Sequence, residues 1–137
     1  FCLSRGLGDV YKRQPWNFSP VLDLGLDPRF PRQFETFGED PLMVERFGNA
    51  MIKGYQGDKN DIGNKFNVAA CMKHFVGYQA VISGKDRTPA YIPNNVLSEY
   101  HIEPFKKAIE SGAKTNNSFS NSLAFDLSSS FLYTCIT

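Results

Sequence analysis

No stretch of this 137-residue chain is long and apolar enough to span a bilayer, and its charges nearly cancel, leaving +1. The first absence excludes a membrane-spanning helix; the second removes the electrostatic bias expected of a nucleic-acid or membrane-surface binder. Cysteine is scarce. Cys2 and Cys135 lie in end segments of unusual composition, and Cys71 sits inside an apolar run, where it reads as a small buried hydrophobe. Neither Gly-rich stretch lies between a strand and a helix with phosphate-loop spacing, which argues against a nucleotide-binding α/β enzyme. What remains is a chain with 42% hydrophobic and 14% aromatic residues, enough for a packed core rather than disorder and at most one ordinary domain.

The most informative stretch is VAACMKHFVGY, residues 68–78. Val68 to Met72 form an unbroken apolar run that leads into Lys73 and His74 and ends at Gly77. Such a run suits a strand covered on both faces, as strands of parallel sheets are. Cations at the C-terminal end of such a strand stand where α/β folds place their ligands. The plainer alternative is a lysine reaching for solvent and a histidine satisfied within the structure.

The flanking text supplies the rest of a βαβ pattern. Val21 to Leu24 reads as a short strand with Pro20 at its start and Gly25 after it, followed by a long irregular loop from Leu26 to Asp40. Asp40-Pro41 is a helix start, because an Asp side chain caps free N–H groups and Pro fits the first helical position. Val44, Phe47, Met51 and Tyr55 recur at helical spacing, and Gly54 and Gly57 mark the end. A polar loop from Asp58 to Phe66 leads into the central strand. After a second irregular segment, Asn94 and Asn95 are available to cap a helix that turns Leu97, His101, Phe105, Ala108 and Ile109 inward, with Pro104 dividing it and Ser111-Gly112 ending it. The alternation implies a parallel sheet.

The two ends depart from this pattern. Residues 1–14, FCLSRGLGDVYKRQ, have no apolar period and resemble translated adaptor sequence; they also lack the apolar centre and small-residue cleavage site of a signal peptide. Residues 116–137 are rich in Ser and Asn, have no Lys, Arg, Glu, Gly or Pro, and read as a non-native or frameshifted tail.

With strands and loops in order, FSPVLDLGLDPRFPRQFETFGEDP (18–41), GYQGD (54–58) and CMKHFVGY (71–78) resemble the N-terminal barrel domain of glycoside hydrolase family 3. The loop SGKDRTPAYIP (83–93) is similar to those of the lysosomal or secreted β-glucosidase type. The resemblance implies an α/β fold over residues 15–115, about two β/α units of a (β/α)8 TIM-type barrel that is incomplete on its own. It implies retaining, exo-acting hydrolysis of terminal β-D-glucosyl or related residues, a β-glucoside or oligosaccharide as partner, a secreted or lysosomal compartment, and neither cofactor nor metal. Nucleic acid and membrane are not expected partners; the remainder of the barrel and a second domain are.

By the same resemblance Arg32, Lys73 and His74 bind the terminal sugar. A neutral sugar is recognised through hydrogen bonds, and these residues offer three kinds of donor for them, a planar fork, a mobile ammonium and a directional ring. The competing account of Arg32 is a salt bridge to Glu35 or Asp27 that pins its loop. Neighbours on a regular strand point to opposite faces, so a shared role for Lys73 and His74 requires a bulge, a sharp turn or an unusual peptide there.

Retaining hydrolysis needs two carboxyl groups about 5–5.5 Å apart. None of Asp23, Asp27, Glu35, Glu39, Asp40 and Asp86 matches the family's nucleophile or acid/base, so no catalytic residue is expected in this segment; Asp40 is better explained as a cap and Asp23 as a structural acceptor. The main alternative is a non-catalytic carbohydrate-binding piece or decayed paralogue. In place of an apolar strand after Thr115 stands NNSFSNS. Parallel strands with open edges invite aggregation, so the 137-residue chain alone is expected to be poorly soluble and to melt with weak cooperativity; a sharp two-state thermal transition contradicts this.

Overall fold

The structure, a computed structural model, describes residues 15–118; the adaptor-like segment 1–14, Cys2, Cys135 and the Ser/Asn-rich tail beyond 118 lie outside the described residues. The apolar run becomes the central strand β2, Ala69–Phe75, of a three-stranded parallel sheet. On one edge it pairs with β1, Trp16–Asn17, and on the other with β3, Thr115–Ser118. Val68 to Met72 are buried, as a strand covered on both faces requires.

The expected strand at Val21–Leu24 is reduced to a single parallel bridge from Val21 to Lys73. The segment nevertheless extends the pairing begun at β1: Cys71 N donates to Ser19 O at 3.1 Å, Lys73 N to Pro20 O at 3.0 Å, and Leu22 N to Lys73 O at 2.6 Å. Pro20 accepts in this ladder but has no N–H to give, so the pairing stays irregular here. The long loop that follows contains one 3₁₀ turn, Gln33–Glu35.

Helix α1, Pro41–Gln56, begins as the sequence predicts, with Asp40 Oδ1 accepting from Leu42 N at 2.9 Å. Its inward face differs from the expected one. Val44, Gly48, Ile52 and Tyr55 are buried, whereas Phe47 is 49% exposed and stacks on Phe37 at 5.8 Å, and Met51 is partly buried. The reason is close packing: a Cβ at position 48 would stand 2.5 Å from Leu22 Cδ2, so the helix presses its glycine, not its phenylalanine, against the strand layer.

The second helical stretch is divided. A short α2, Asn94–Val96, passes into a π-helical segment, Leu97–Ile102, and then into α3, Glu103–Glu110. Pro104 lies in the first turn of α3, where its missing N–H costs little; the looser bonding of the π segment precedes it. Leu97, His101, Phe105 and Ala108 are buried as predicted, but Ile109 is 44% exposed. Pro93, not Asn94 or Asn95, occupies the cap position, without a side-chain cap.

The core joins Leu22, Leu24, Val44, Ile52, Val68, Ala70, Met72 and Phe105 between sheet and helices. β3 is an addition that hydrophobic pattern did not announce, and the boundary expected at 115 falls on its first residue. Its TNNS sequence is held by Thr115, whose hydroxyl accepts from Trp16 Nε1 at 2.7 Å and donates to Ala70 O at 2.9 Å, tying all three strands. Among the described residues no helix is long and apolar enough to cross a membrane. The corrected face of α1 has a measurable consequence. Ile52→Ala, at a cost of about 2–5 kcal/mol, strips amide-exchange protection from α1 and β2, whereas Phe47→Ala, at about 1 kcal/mol or less, leaves it largely in place.

Candidate functional site

The C-terminal end of β2 departs from regular strand geometry where the sequence requires it. Pairing with β3 shifts register between Met72 and Phe75, and the Lys73–His74 and Phe75–Val76 peptides are cis. Gly77, at φ 78°, then turns the chain so that Tyr78 comes back beside His74, ring centroids 4.3 Å apart. Lys73, partly exposed, and His74, buried, stand at the end of the strand where parallel sheets carry their sites.

Two of the three predicted residues meet a carboxylate directly, each a different one. His74 offers both its backbone N–H and its Nδ1 to Asp23 Oδ2, at 3.0 and 2.8 Å, with both side chains almost fully buried. Asp23 is therefore an acceptor at the end of the first segment, as the sequence predicts. Arg32 is held side-on by Glu35, Nε to Oε1 and Nη2 to Oε2, both at 2.7 Å. Of the two partners weighed for Arg32, Glu35 is the one it takes; Asp27 pairs with Arg29 instead, at 2.7 Å. This bidentate bond lowers the Glu35 carboxyl below its ordinary range and raises the Arg32 guanidinium above its own.

The salt bridge does not exhaust the arginine. Nη1 donates to the Tyr78 hydroxyl at 3.1 Å, and the guanidinium lies 5.4 Å from the centre of the Tyr78 ring. Three of its five N–H groups are used among the described residues, which leaves two for another acceptor. Tyr78 in turn donates to Asp86 Oδ1 from the second long loop. Burial and that carboxylate push the Tyr78 hydroxyl up, while Arg32 opposes them.

Lys73 has no carboxylate within ion-pair distance among the described residues. Burial pushes its ammonium below the ordinary lysine range, with the nearby negative charge of Glu35 working against that and Arg32 adding to it. It lines a cavity of about 340 Å³ with Val21, Phe34, Glu35, Phe37 and Met51. That volume lies in the range of small-molecule sites. Arg32 and His74 do not line this cavity; they sit beyond Glu35, whose carboxylate feels the charges of Arg32, Lys73 and His74 alike. The three predicted residues are therefore gathered about Glu35, with Arg32 and His74 also against Tyr78, rather than around one open pocket.

Sequence reasoning missed Tyr78 as the link between Arg32 and the second loop, and held Glu35 only as a rival explanation of Arg32. The signal for Tyr78 was present: a tyrosine directly after the glycine that ends the strand. Among the described residues, no group of three or more His, Cys, Asp or Glu side chains is arranged to hold a metal ion.

Comparison with known proteins gives this arrangement a context. Over 98 aligned residues the chain is 44% identical to the lysosomal beta glucosidase of Dictyostelium discoideum, covering 69% of this chain and 12% of that protein. It is 38% identical to the periplasmic beta-glucosidase/beta-xylosidase of Dickeya chrysanthemi, covering 69% of this chain and 15% of the relative. In three dimensions it is similar to the D270A mutant of the beta-glucosidase from Listeria innocua in complex with laminaribiose, with a TM-score of 0.79, 35% identity, and coverage of 82% of this chain and 16% of that one. The chain thus spans 12% of the length of the first of these relatives and 15% of the second. Residues 14–118 match the glycosyl hydrolase family 3 N terminal domain, and they include every residue of the Arg32, Glu35, Lys73, His74 and Tyr78 cluster: the chain belongs to that family.

Proposed function

We propose that this chain is the sugar-holding part of a β-glucosidase-like glycoside hydrolase, with Arg32, Lys73 and His74 as hydrogen-bonding groups for the terminal sugar. The observation that carries the reading is that Arg32, Lys73 and His74 all lie near Glu35 at the C-terminal end of a buried parallel strand, with Arg32 and His74 also against Tyr78. A neutral pyranose gives such groups no charge to bind, only hydroxyls. Two N–H groups of Arg32 and the ammonium of Lys73 are suited to donate to them, each bond contributing roughly 1.5–3 kcal/mol.

In the same reading the described elements are about two β/α units of a (β/α)8-type barrel, whose closure takes about 250 residues. The carboxylates near the site each have a partner that explains them: Asp23 with His74, Asp27 with Arg29, Glu35 with Arg32, and Asp86 with Tyr78. The nucleophile and the acid/base of a retaining, exo-acting hydrolase are accordingly assigned to parts of the protein outside residues 15–118. The names of the relatives, one lysosomal and one periplasmic, favour a secreted or lysosomal compartment. A relative crystallised with glucose supports a glucoside as substrate.

Glucose titration of the chain, followed by nuclear magnetic resonance, tests the reading. Arg32→Ala and Lys73→Ala are each expected to weaken glucose binding by about ten- to a hundredfold; no response to glucose in the unsubstituted chain overturns the assignment. The lowered ammonium of Lys73 adds a pH dependence. As pH rises, Lys73 loses its proton, and one donor bond with it, at lower pH than an ordinary lysine. Glucose affinity should therefore fall on the alkaline side before the usual lysine range is reached. Lys73→Arg, which keeps its charge, should shift that fall to higher pH.

A further inference from the structure

Other lysines of this chain face solvent or answer a carboxylate, and Lys73 does neither. Lys53, Lys59 and Lys85 are exposed, while Lys106 and Lys107 pair with Glu103 and Glu110 at 3.2 and 2.9 Å. The backbone of Lys73 is fixed on both sides, since its N–H donates to Pro20 O at 3.0 Å and its carbonyl accepts from Leu22 N at 2.6 Å. Its side chain lines the cavity of about 340 Å³. Val21, Phe34, Phe37 and Met51 give that cavity an apolar wall, and Glu35 and Thr36 add polar groups. Lys73 is half-buried there, with no carboxylate within ion-pair distance among the described residues. Burial holds its ammonium below the ordinary lysine range.

We propose that Lys73 is a covalent acceptor for small aldehydes, above all the open-chain forms of short sugars, which enter this cavity and form an imine with Nζ. Desolvated lysines are the amines that form Schiff bases, because only the neutral amine has a lone pair to give. Nζ adds to the carbonyl carbon, and the C=O electron pair moves onto the oxygen, which takes up the proton that the nitrogen gives up. The carbinolamine so formed takes one further proton from solvent, loses its hydroxyl as water and leaves a protonated imine. No oxidant or reductant is consumed. The protonated imine carries the same single positive charge as the ammonium it replaces, so the attraction between this position and Glu35 survives the reaction. A hydroxyaldehyde can also hydrogen-bond to the Glu35 and Thr36 side of the cavity, whereas an alkyl aldehyde finds partners only on the apolar wall. This goes beyond the sugar-binding reading, in which Lys73 is only a hydrogen-bond donor, and does not depend on it.

Glycolaldehyde, with sodium cyanoborohydride to fix the imine as a stable amine, tests this on the full chain at neutral pH. Peptide mapping by mass spectrometry at partial conversion reads each lysine separately. Lys73 should be labelled about tenfold faster, or more, than the exposed Lys53, Lys59 and Lys85. In guanidinium chloride, where the cavity is gone, that difference should vanish. Labelling of Lys73 no faster than that of the exposed lysines overturns the proposal. A preference that survives denaturation overturns it too, because it belongs to the neighbouring sequence and not to the cavity. Propionaldehyde, which has no hydroxyl, should show a smaller preference for Lys73; an equal or larger one overturns the assignment to sugar aldehydes. Glucose binding enters none of these measurements, so their failure leaves the sugar-binding reading standing.

Discussion

A strand buried along four consecutive residues, Ala69 to Met72, cannot leave backbone groups without partners, and β2 meets that demand on both edges. On one side it draws in β1 and the irregular segment from Ser19 to Leu22; on the other it draws in a strand of Thr, Asn and Ser with no apolar reason to be there. Helices α1 and α3 cover it because its Ala70 and Met72 need apolar neighbours, and Val44, Ile52 and Phe105 supply them. The chemistry at its C-terminal end follows from the same burial. Lys73 and His74 emerge from a region poor in water, so their charge and hydrogen-bonding capacity must be met by groups brought close by the fold.

Those groups come from one loop and one strand end. Asp23 lies at the end of the segment paired to β2 and bonds both the backbone and the ring of His74. Glu35 lies on the 3₁₀ turn of the following loop, grips Arg32 with two bonds, and lines the same cavity as Lys73. The result is a site in which Arg32 and His74 are each oriented by an anion and a ring, while Lys73 stands within the field of Glu35. The salt bridge that looked like a rival to sugar binding by Arg32 is compatible with it, since a guanidinium held side-on still presents its remaining donors in a fixed plane.

Much of this was legible in the residues. The apolar run identified β2 because burial on both faces leaves no alternation to confuse it; Asp40-Pro41 marked the start of α1 because capping is a local event. The mismatch between strand periodicity and a shared role for Lys73 and His74 foretold an irregularity, and the register shift is there. The inward face of α1 was misjudged because hydrophobicity alone favours Phe47 over Gly48. The contact that decides between them is made by Leu22, distant in sequence. β3 was missed because its stability comes from Thr115 and from pairing with β2, neither of which leaves a hydrophobic pattern.

The sequence by itself determined the parallel α/β class, the cations at the end of the central strand and the family motifs, because apolar runs, caps and short motifs are properties of neighbouring residues. Only the tertiary structure decided which carboxylate His74 meets and which ring Arg32 lies against. Asp23 and His74 are 51 residues apart, and Arg32 and Tyr78 are 46 apart; nothing local relates either pair. Their meeting is set by the register of one strand against another and by the turn at Gly77, and register exists only once the sheet has formed.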